Sequence, residues 1–200
     1  EAFRKTSSIP VFHWDVGDFD ATQTGVAEVA RAVGPIEILV NNAGVTRDGV
    51  LPKMTHEQWR FVIDIDLGGC FNMCRAVIGG MRERRFGRIV NISSINALSG
   101  QFGQTNYCAA KAGVIGFTKA LALESASRGV TVNAIAPGYT DTGLARAVPQ
   151  GILKDIVTQV PMGRLAQTDE IARGVVFLTD DAAGFITGET LSINGGKYMA

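Results

Sequence analysis

The sequence predicts an α/β fold built on a doubly wound parallel sheet, and three observations carry that expectation. Short β-favouring runs alternate with longer segments of helical periodicity. The runs are apolar without clean alternation, and several end in small or polar residues, as at Asn41-Asn42-Ala43-Gly44, Ser93-Ser94 and Pro137-Gly138. Continuous apolar character is what a strand covered on both faces shows, and strands separated by helices close through right-handed crossovers onto parallel neighbours. No repeat or linker divides the chain, so residues 1–200 read as one domain.

Taken in order, Ile9 to Phe12 reads as a short strand opening at His13-Trp14-Asp15-Val16 into a polar turn. A helix with apolar positions at Val26, Val29 and Ala30 follows and stops at Gly34-Pro35. Ile36 to Val40 reads as a strand buried on both faces. Thr55 and Gln58 have the spacing of a capping box and start a helix through Trp59, Phe61 and Val62. Helical character continues, with a bend expected at Gly68-Gly69, to Met81 and a basic end at Arg82-Glu83-Arg84-Arg85, where cations suit the negative pole of the helix dipole.

Arg88 to Ile92 is a further buried strand, and a long helix is expected from about Asn106 to Ser127. Val130 to Ile135 is a strand entering Pro137-Gly138. Thr168 is expected to cap a helix carrying Ile171, Val175, Val176 and Leu178, and Leu191 to Ile193 is a late strand. Residues 144–164 break the regular spacing and mix short helical patterns with Pro149 and Pro161. They suit a mobile cover over a pocket or an ordered surface insertion.

Two hundred residues with 46% hydrophobic side chains, 24 glycines and 6 prolines can bury one sizeable core, which excludes disorder and a collagen-like fibre. The 19 basic and 19 acidic side chains cancel, so no overall field would gather nucleic acid or a membrane surface. Cys70, Cys74 and Cys108 lack zinc-ligand spacing and cannot all pair as disulfides, which favours a reducing, cytoplasmic setting without a metal site. Cys70 and Cys74 lie in an apolar helical stretch and read as buried thiols. No run has the length of a membrane span.

The chemistry concentrates in Ser94, Tyr107 and Lys111. Tyr107 and Lys111 are four residues apart on one helix and share a face. A lysine ammonium beside a phenol is expected to draw the phenol's pKa down from about 10. Tyr107 could then give a proton to a carbonyl oxygen while Ser94, at the carboxyl end of a strand, holds the same oxygen. A tyrosine and a lysine at this spacing mean little alone, since packing or surface roles account for most such pairs. Three strand ends converging on one crevice change that reading.

The segments Asn41-Asn42-Ala43-Gly44, Ser94, Tyr107-Cys108-Ala109-Ala110-Lys111 and Pro137-Gly138 resemble the short-chain dehydrogenase/reductase family across essentially the whole chain. Within it, Asn42 to Asp48, Lys53-Met54-Thr55, Gly100 to Tyr107, Pro137-Gly138-Tyr139 and Asn194 to Met199 resemble the subgroup that reduces acetoacetyl-CoA in polyhydroxyalkanoate synthesis. The 3-oxoacyl-acyl-carrier-protein reductases are closely similar.

The resemblance implies a Rossmann-like fold and hydride transfer from NADPH, with NADH the alternative, to the 3-oxo group of a short acyl thioester. It implies Tyr107 as general acid, Lys111 on the nicotinamide ribose, and Ser94 orienting the carbonyl. Asp15 and Val16 would meet adenine, Asn41, Ala43 and Gly44 would line the cofactor channel, and Pro137, Gly138 and Thr142 would border nicotinamide and phosphate. Gln101, Gln104 and Tyr139 would contact the acetoacetyl group, and Arg47 and Lys53 would meet the phosphate-bearing arm of the thioester. An acyl-carrier protein is the alternative partner. A homotetramer built mainly through the helices over 67–81 and 106–127 and the C-terminal region is the implied assembly.

Two departures qualify that picture. The family opens with a strand and a glycine-rich turn that receives the cofactor pyrophosphate, and none precedes Ile9, so N-terminal residues are expected to lie outside this sequence. Asp66 stands where the family usually has an asparagine of the catalytic set. A carboxylate offers acceptors only, so slower or pH-shifted turnover is expected rather than a different reaction. A catalytically weakened scaffold or regulatory protein is the remaining alternative.

Overall fold

The computed structural model describes residues 9–146, 148 and 150–199. Its centre is a four-stranded parallel sheet: β1 (Ile38–Asn41), β2 (Gly87–Ile92), β3 (Val130–Pro137) and β4 (Thr190–Ile193), in the order β1-β2-β3-β4. Register is set by Leu39 opposite Ile89, Asn91 opposite Ala134, and Ile135 opposite Leu191. Every neighbour is therefore reached by a crossover, and helices cover both faces.

Side chains alternate across a strand, so β2 and β3 feed two cores at once. Ile89, Val130 and Val132 join Val77, Met81 and Val114 on one face, while Val90 and Ile135 pack with Leu178 on the other. The first face is covered by α1 (Phe19–Val33), α3 (Gly69–Arg84) and α5 (Thr105–Ser125), and the second by α8 (Thr168–Thr179). All but the last residue of β3 are buried, the polar Thr131 and Asn133 included. Burial of each large aliphatic side chain contributes about 1.5–3 kcal/mol.

Local sequence explains the helix starts. Asp18 caps α1 by accepting from the Ala21 N–H at 2.9 Å, and Gly34, with φ of 114°, ends it. Thr55 and Gln58 form the reciprocal capping box of α2 (His56–Val62). The remaining short helices are α4 (Asn96–Ser99), α6 (Gly143–Arg146) and α7 (Gln150–Thr158), and only α4 had no counterpart in the sequence reading.

Several expectations need correction. Ile9 to Phe12 is not one of the strands of the described sheet, whose four strands all follow α1 in the chain. β1 is not buried on both faces: Leu39 is covered, but Ile38 and Val40 are exposed on a strand whose single sheet neighbour among the described residues is β2. Thr168 is the first residue of α8 and not its cap. Gln167 takes that place, and its backbone N–H donates to Glu170 Oε2 at 2.8 Å. The helix after Thr55 changes into a π-helical turn over Ile63–Gly68, so the irregularity begins five residues before the two glycines and ends at the first of them.

Residues 144–164 contain the expected short helices. Ala145, Ile156 and Val160 are buried, and Ala145 and Val148 face the cavity described below. Pro149 lies outside the described residues. No helix among the described residues is long and apolar enough to cross a membrane.

Candidate active site

Backbone ladders bring the carboxyl ends of three strands to one side of the sheet. Past β2, the Ser93 N–H still donates to Ile135 O at 2.7 Å and the Ile95 N–H to Pro137 O at 2.9 Å, fixing Ser94 between them. The Ser93 hydroxyl donates to Lys111 O at 2.8 Å, pinning α5 beside that strand end. Buried Asn106 ties the same helix to the loop after β1: its amide donates to Arg47 O at 2.9 Å, and its Oδ1 accepts the Tyr107 N–H at 2.8 Å. An α-helical face then places Tyr107 and Lys111 one turn apart, aimed at Ser94.

These groups line a cavity of about 540 Å3 bordered by Ser94, Tyr107, Lys111, Gly44, Pro137, Gly138 and Thr142. Its far wall is apolar, from Ile171 and Val175 of α8. A neighbouring cavity of about 230 Å3 shares Ser94, Tyr107, Gly138 and Thr142, and adds Asp48, Asn96, Gln104, Tyr139 and Ala145. On the other side of Gly44, a cleft of about 70 Å3 is lined by Val16, Asn41, Ala43 and Asp66.

The Lys111 ammonium donates to Ile92 O at 3.0 Å and lies 3.3 Å from Asp66 Oδ2, both side chains being buried. Asp66 projects from the π turn, where one extra residue per turn swings its side chain toward α5. Its Oδ1 accepts the Val45 N–H at 2.8 Å. Oδ2 has the ion pair but no well-directed hydrogen bond. Burial pushes the Asp66 carboxyl above its ordinary range, while the Lys111 charge and the Val45 N–H pull it back down.

Tyr107 departs from the sequence expectation. Its hydroxyl is pushed up to about 12, first by burial, with the negative charges of Asp66, Cys108 and Asp48 adding to the rise and a hydrogen bond with Ser94 working against it. Lys111 does not draw it down. The ammonium lies 5.6 Å from the Tyr107 ring centroid, and its charge is already balanced by the nearer carboxylate.

The other predicted residues are distributed as follows. Val16, Asn41 and Ala43 share the small cleft, and Asp15 turns back to accept the Gly17 N–H at 2.8 Å. The Asn41 amide donates to Asn91 Oδ1 at 2.8 Å and to Cys74 Sγ at 3.2 Å, so it also ties β1 to β2. Gln104 lines the smaller cavity, with its amide held between Asn96 and Asp48 at 2.9 Å each. Gln101 is exposed and lines neither cavity; the Tyr139 hydroxyl donates to its Oε1 at 3.4 Å, and its backbone oxygen accepts the Gln104 N–H at 3.1 Å. Arg47 stacks over Phe61 at 4.3 Å, and Lys53 is exposed in a single turn over Leu51–Lys53.

Sequence reasoning did not single out Asp48, Asn96, Asn106 or the apolar wall of α8. Asn106 precedes Tyr107 directly, and its burial was the missing information.

A family model described as enoyl-(acyl carrier protein) reductase matches residues 1–197. The chain is 57% identical to an acetoacetyl-CoA reductase of Rhizobium meliloti, covering 100% of this chain and 83% of that protein. It is 56% identical to an acetoacetyl-CoA reductase of Shinella zoogloeoides, over 98% and 82% respectively. The chain belongs to the short-chain dehydrogenase/reductase family. It is also 44% identical to a 3-oxoacyl-(acyl-carrier-protein) reductase of Haemophilus influenzae, over 93% of this chain and 77% of that one.

Short-chain dehydrogenase/reductases are NAD(P)H-dependent oxidoreductases, and the strand-end cavity fits the nicotinamide half of such a cofactor. Gly44 leaves room for the lysine, since a Cβ there would lie 3.1 Å from Lys111 Nζ, and Gly138 lets the chain pass close to Asn194, whose Cα would lie 2.8 Å from a Cβ. No glycine-rich turn for the pyrophosphate precedes β1 among the described residues.

Proposed function

We propose that this chain reduces the 3-oxo group of a short acyl thioester with NADPH, and that acetoacetyl-CoA, giving 3-hydroxybutyryl-CoA, is its leading substrate. The observation that carries the reading is the convergence of Ser94, Tyr107 and Lys111 on one cavity that shares a wall with a second, smaller one. The first has the volume and apolar back wall for nicotinamide, and the second is large enough for a four-carbon acyl group. The names of relatives more than half identical to this chain point the same way.

In this reading Gly44, Pro137, Gly138 and Thr142 hold the nicotinamide side of the cofactor, with Lys111 on its ribose. Asp15, Val16, Asn41 and Ala43 receive the adenine side. The bound cofactor supplies the hydride. Ser94 donates a hydrogen bond to the substrate carbonyl oxygen, and Tyr107 gives that oxygen its proton as the carbon accepts hydride. The low-dielectric pocket strengthens both interactions where negative charge develops. Lys111 keeps a proton within one turn of Tyr107 for the next cycle.

Gln104 and Tyr139 border the acyl end, and residues 144–164 cover it. Helices α3 and α5 form the subunit contacts of a tetramer, using apolar residues left exposed in one protomer such as Phe71 and Leu123. Native mass measurement gives the subunit count.

A second reading, reduction of thioesters carried on an acyl-carrier protein, is favoured by the likeness to the Haemophilus influenzae reductase. A competitive panel of 3-oxoacyl thioesters, on CoA and on acyl-carrier protein, with both NADPH and NADH, separates the two. Highest kcat/KM on acetoacetyl-CoA with NADPH supports the proposal. Preference for long acyl chains on the carrier protein supports the second reading, and no turnover of any thioester contradicts both.

A further inference from the structure

We propose that Asp66 is a positioning residue: by neutralising Lys111 at 3.3 Å it withholds from Tyr107 the cation an ionising phenol needs, and so sets the pH range over which the site works. This rests on the reading of Tyr107 as the proton donor and adds how that donor is controlled. The pair is built into the fold. The π turn aims Asp66 at α5, the Val45 N–H fixes its Oδ1, and the absence of a side chain on Gly44 leaves room for both partners.

The acidic groups around the phenol act in one direction. Asp66 from the π turn, Asp48 from the loop after β1 and Cys108 on α5 all oppose its ionisation, and Ser94 at the end of β2 is the hydrogen-bonding group that assists it. From the neighbouring loop, Tyr139 lines the smaller cavity beside them. Asp64, on the same turn as Asp66, is exposed and bonded to Arg60 at 3.0 Å, so it takes no part. Lys111 is the cation in reach, and the carboxylate is nearer to it than the phenol ring is.

In reduction, the Tyr107 O–H bond breaks and a new O–H bond forms on the substrate oxygen while the carbon gains hydride. In the reverse direction the alcohol O–H bond breaks, its proton passes to the Tyr107 phenolate oxygen, and the carbon gives up hydride to the oxidised cofactor that would be bound there. The protein cannot alter the equilibrium constant of this reaction, so a change in phenol acidity must move the pH profiles of both directions together. A less acidic phenol keeps its proton to higher pH and surrenders it more slowly at neutral pH.

The test is Asp66→Asn, which keeps the shape and an acceptor for Val45 while removing the charge, with Asp66→Ser as a second variant. Two readouts are taken. The first is ultraviolet titration of tyrosinate, with Tyr107→Phe in each background isolating Tyr107 from Tyr139 and Tyr198. The second is the pH profile of kcat/KM for acetoacetyl-CoA reduction and 3-hydroxybutyryl-CoA oxidation.

The Tyr107 transition is expected at lower pH in both variants. The profile breaks should move with it in both directions, and neutral-pH rates should rise on the order of threefold for each tenfold gain in phenol acidity. Loss of rate with unmoved breaks and an unmoved Tyr107 transition would overturn the proposal, since a merely structural role predicts that pattern. The titration needs neither substrate nor cofactor, so a parent chain that turns over no 3-oxoacyl thioester overturns the functional reading separately.

Discussion

Gly44 and Lys111 approach so closely that a β-carbon on the glycine would lie 3.1 Å from the lysine Nζ. The same carbon would lie 3.2 Å from Asp66 Oδ2, so neither partner of the buried pair could give way without disturbing the other.

Gly44→Ala should therefore displace Lys111 while leaving the sheet intact. Isothermal titration with NADPH is expected to show binding weakened on the order of tenfold, a loss of about 1.4 kcal/mol. Circular dichroism should be unchanged. Parental affinity in this variant would show that Lys111 does not meet the cofactor.

The two glutamines of the acyl region separate cleanly. Gln104 lines the smaller cavity and bridges Asn96 and Asp48, whereas Gln101 is exposed. Gln104→Ala leaves the buried Asn96 amide without that partner at about 1–3 kcal/mol, while exposed Asp48 turns to water, so KM for acetoacetyl-CoA should rise on the order of tenfold. Gln101→Ala should change it by no more than about twofold, and steady-state kinetics on both variants checks the order.

Much of this site was legible in the sequence because its signals are local. Strand-end motifs placed Ser94, Gly138 and Gly44 in one crevice, and the four-residue spacing put Tyr107 and Lys111 on one face. What failed depended on long-range burial and charge. The expected fall in the Tyr107 pKa assumed a free ammonium, but the fold places Asp66 against Lys111 across 44 intervening positions of chain. The segment Ile9 to Phe12 has strand composition, yet it is not among the strands of the described sheet, because strand formation depends on the backbone around a segment as well as on its composition. Gln104 and Asp48 are joined from distant segments, which no local pattern encodes.

The core should respond to truncation at its least exposed points. Met81, at 0% exposure, packs with Val77 and Ile89 against the face of the sheet that carries α5. Met81→Ala is expected to destabilise the fold by about 2–5 kcal/mol in urea unfolding, with the slope unchanged.

A pH dependence of stability is expected in acid. Arg164 holds the Glu170 carboxyl at about 2, against an ordinary 4.5, with the Gln167 N–H assisting. A depressed carboxylate stabilises the fold above its unfolded value and loses that contribution as pH falls through the folded one, here from about 4.5 to about 2. Both groups are solvent-exposed, so the effect is small and screened by salt. Melting temperatures of the parent and Glu170→Gln should converge across that window and differ above it.

The most direct measurement is stopped-flow loss of NADPH absorbance on mixing with acetoacetyl-CoA, for the parent and for Tyr107→Phe, on protein shown by titration to bind NADPH. Turnover by the parent and its fall by several orders of magnitude in the variant, with cofactor affinity retained, is the predicted result. Equal rates in the two proteins would contradict the assignment of the transferred proton to Tyr107.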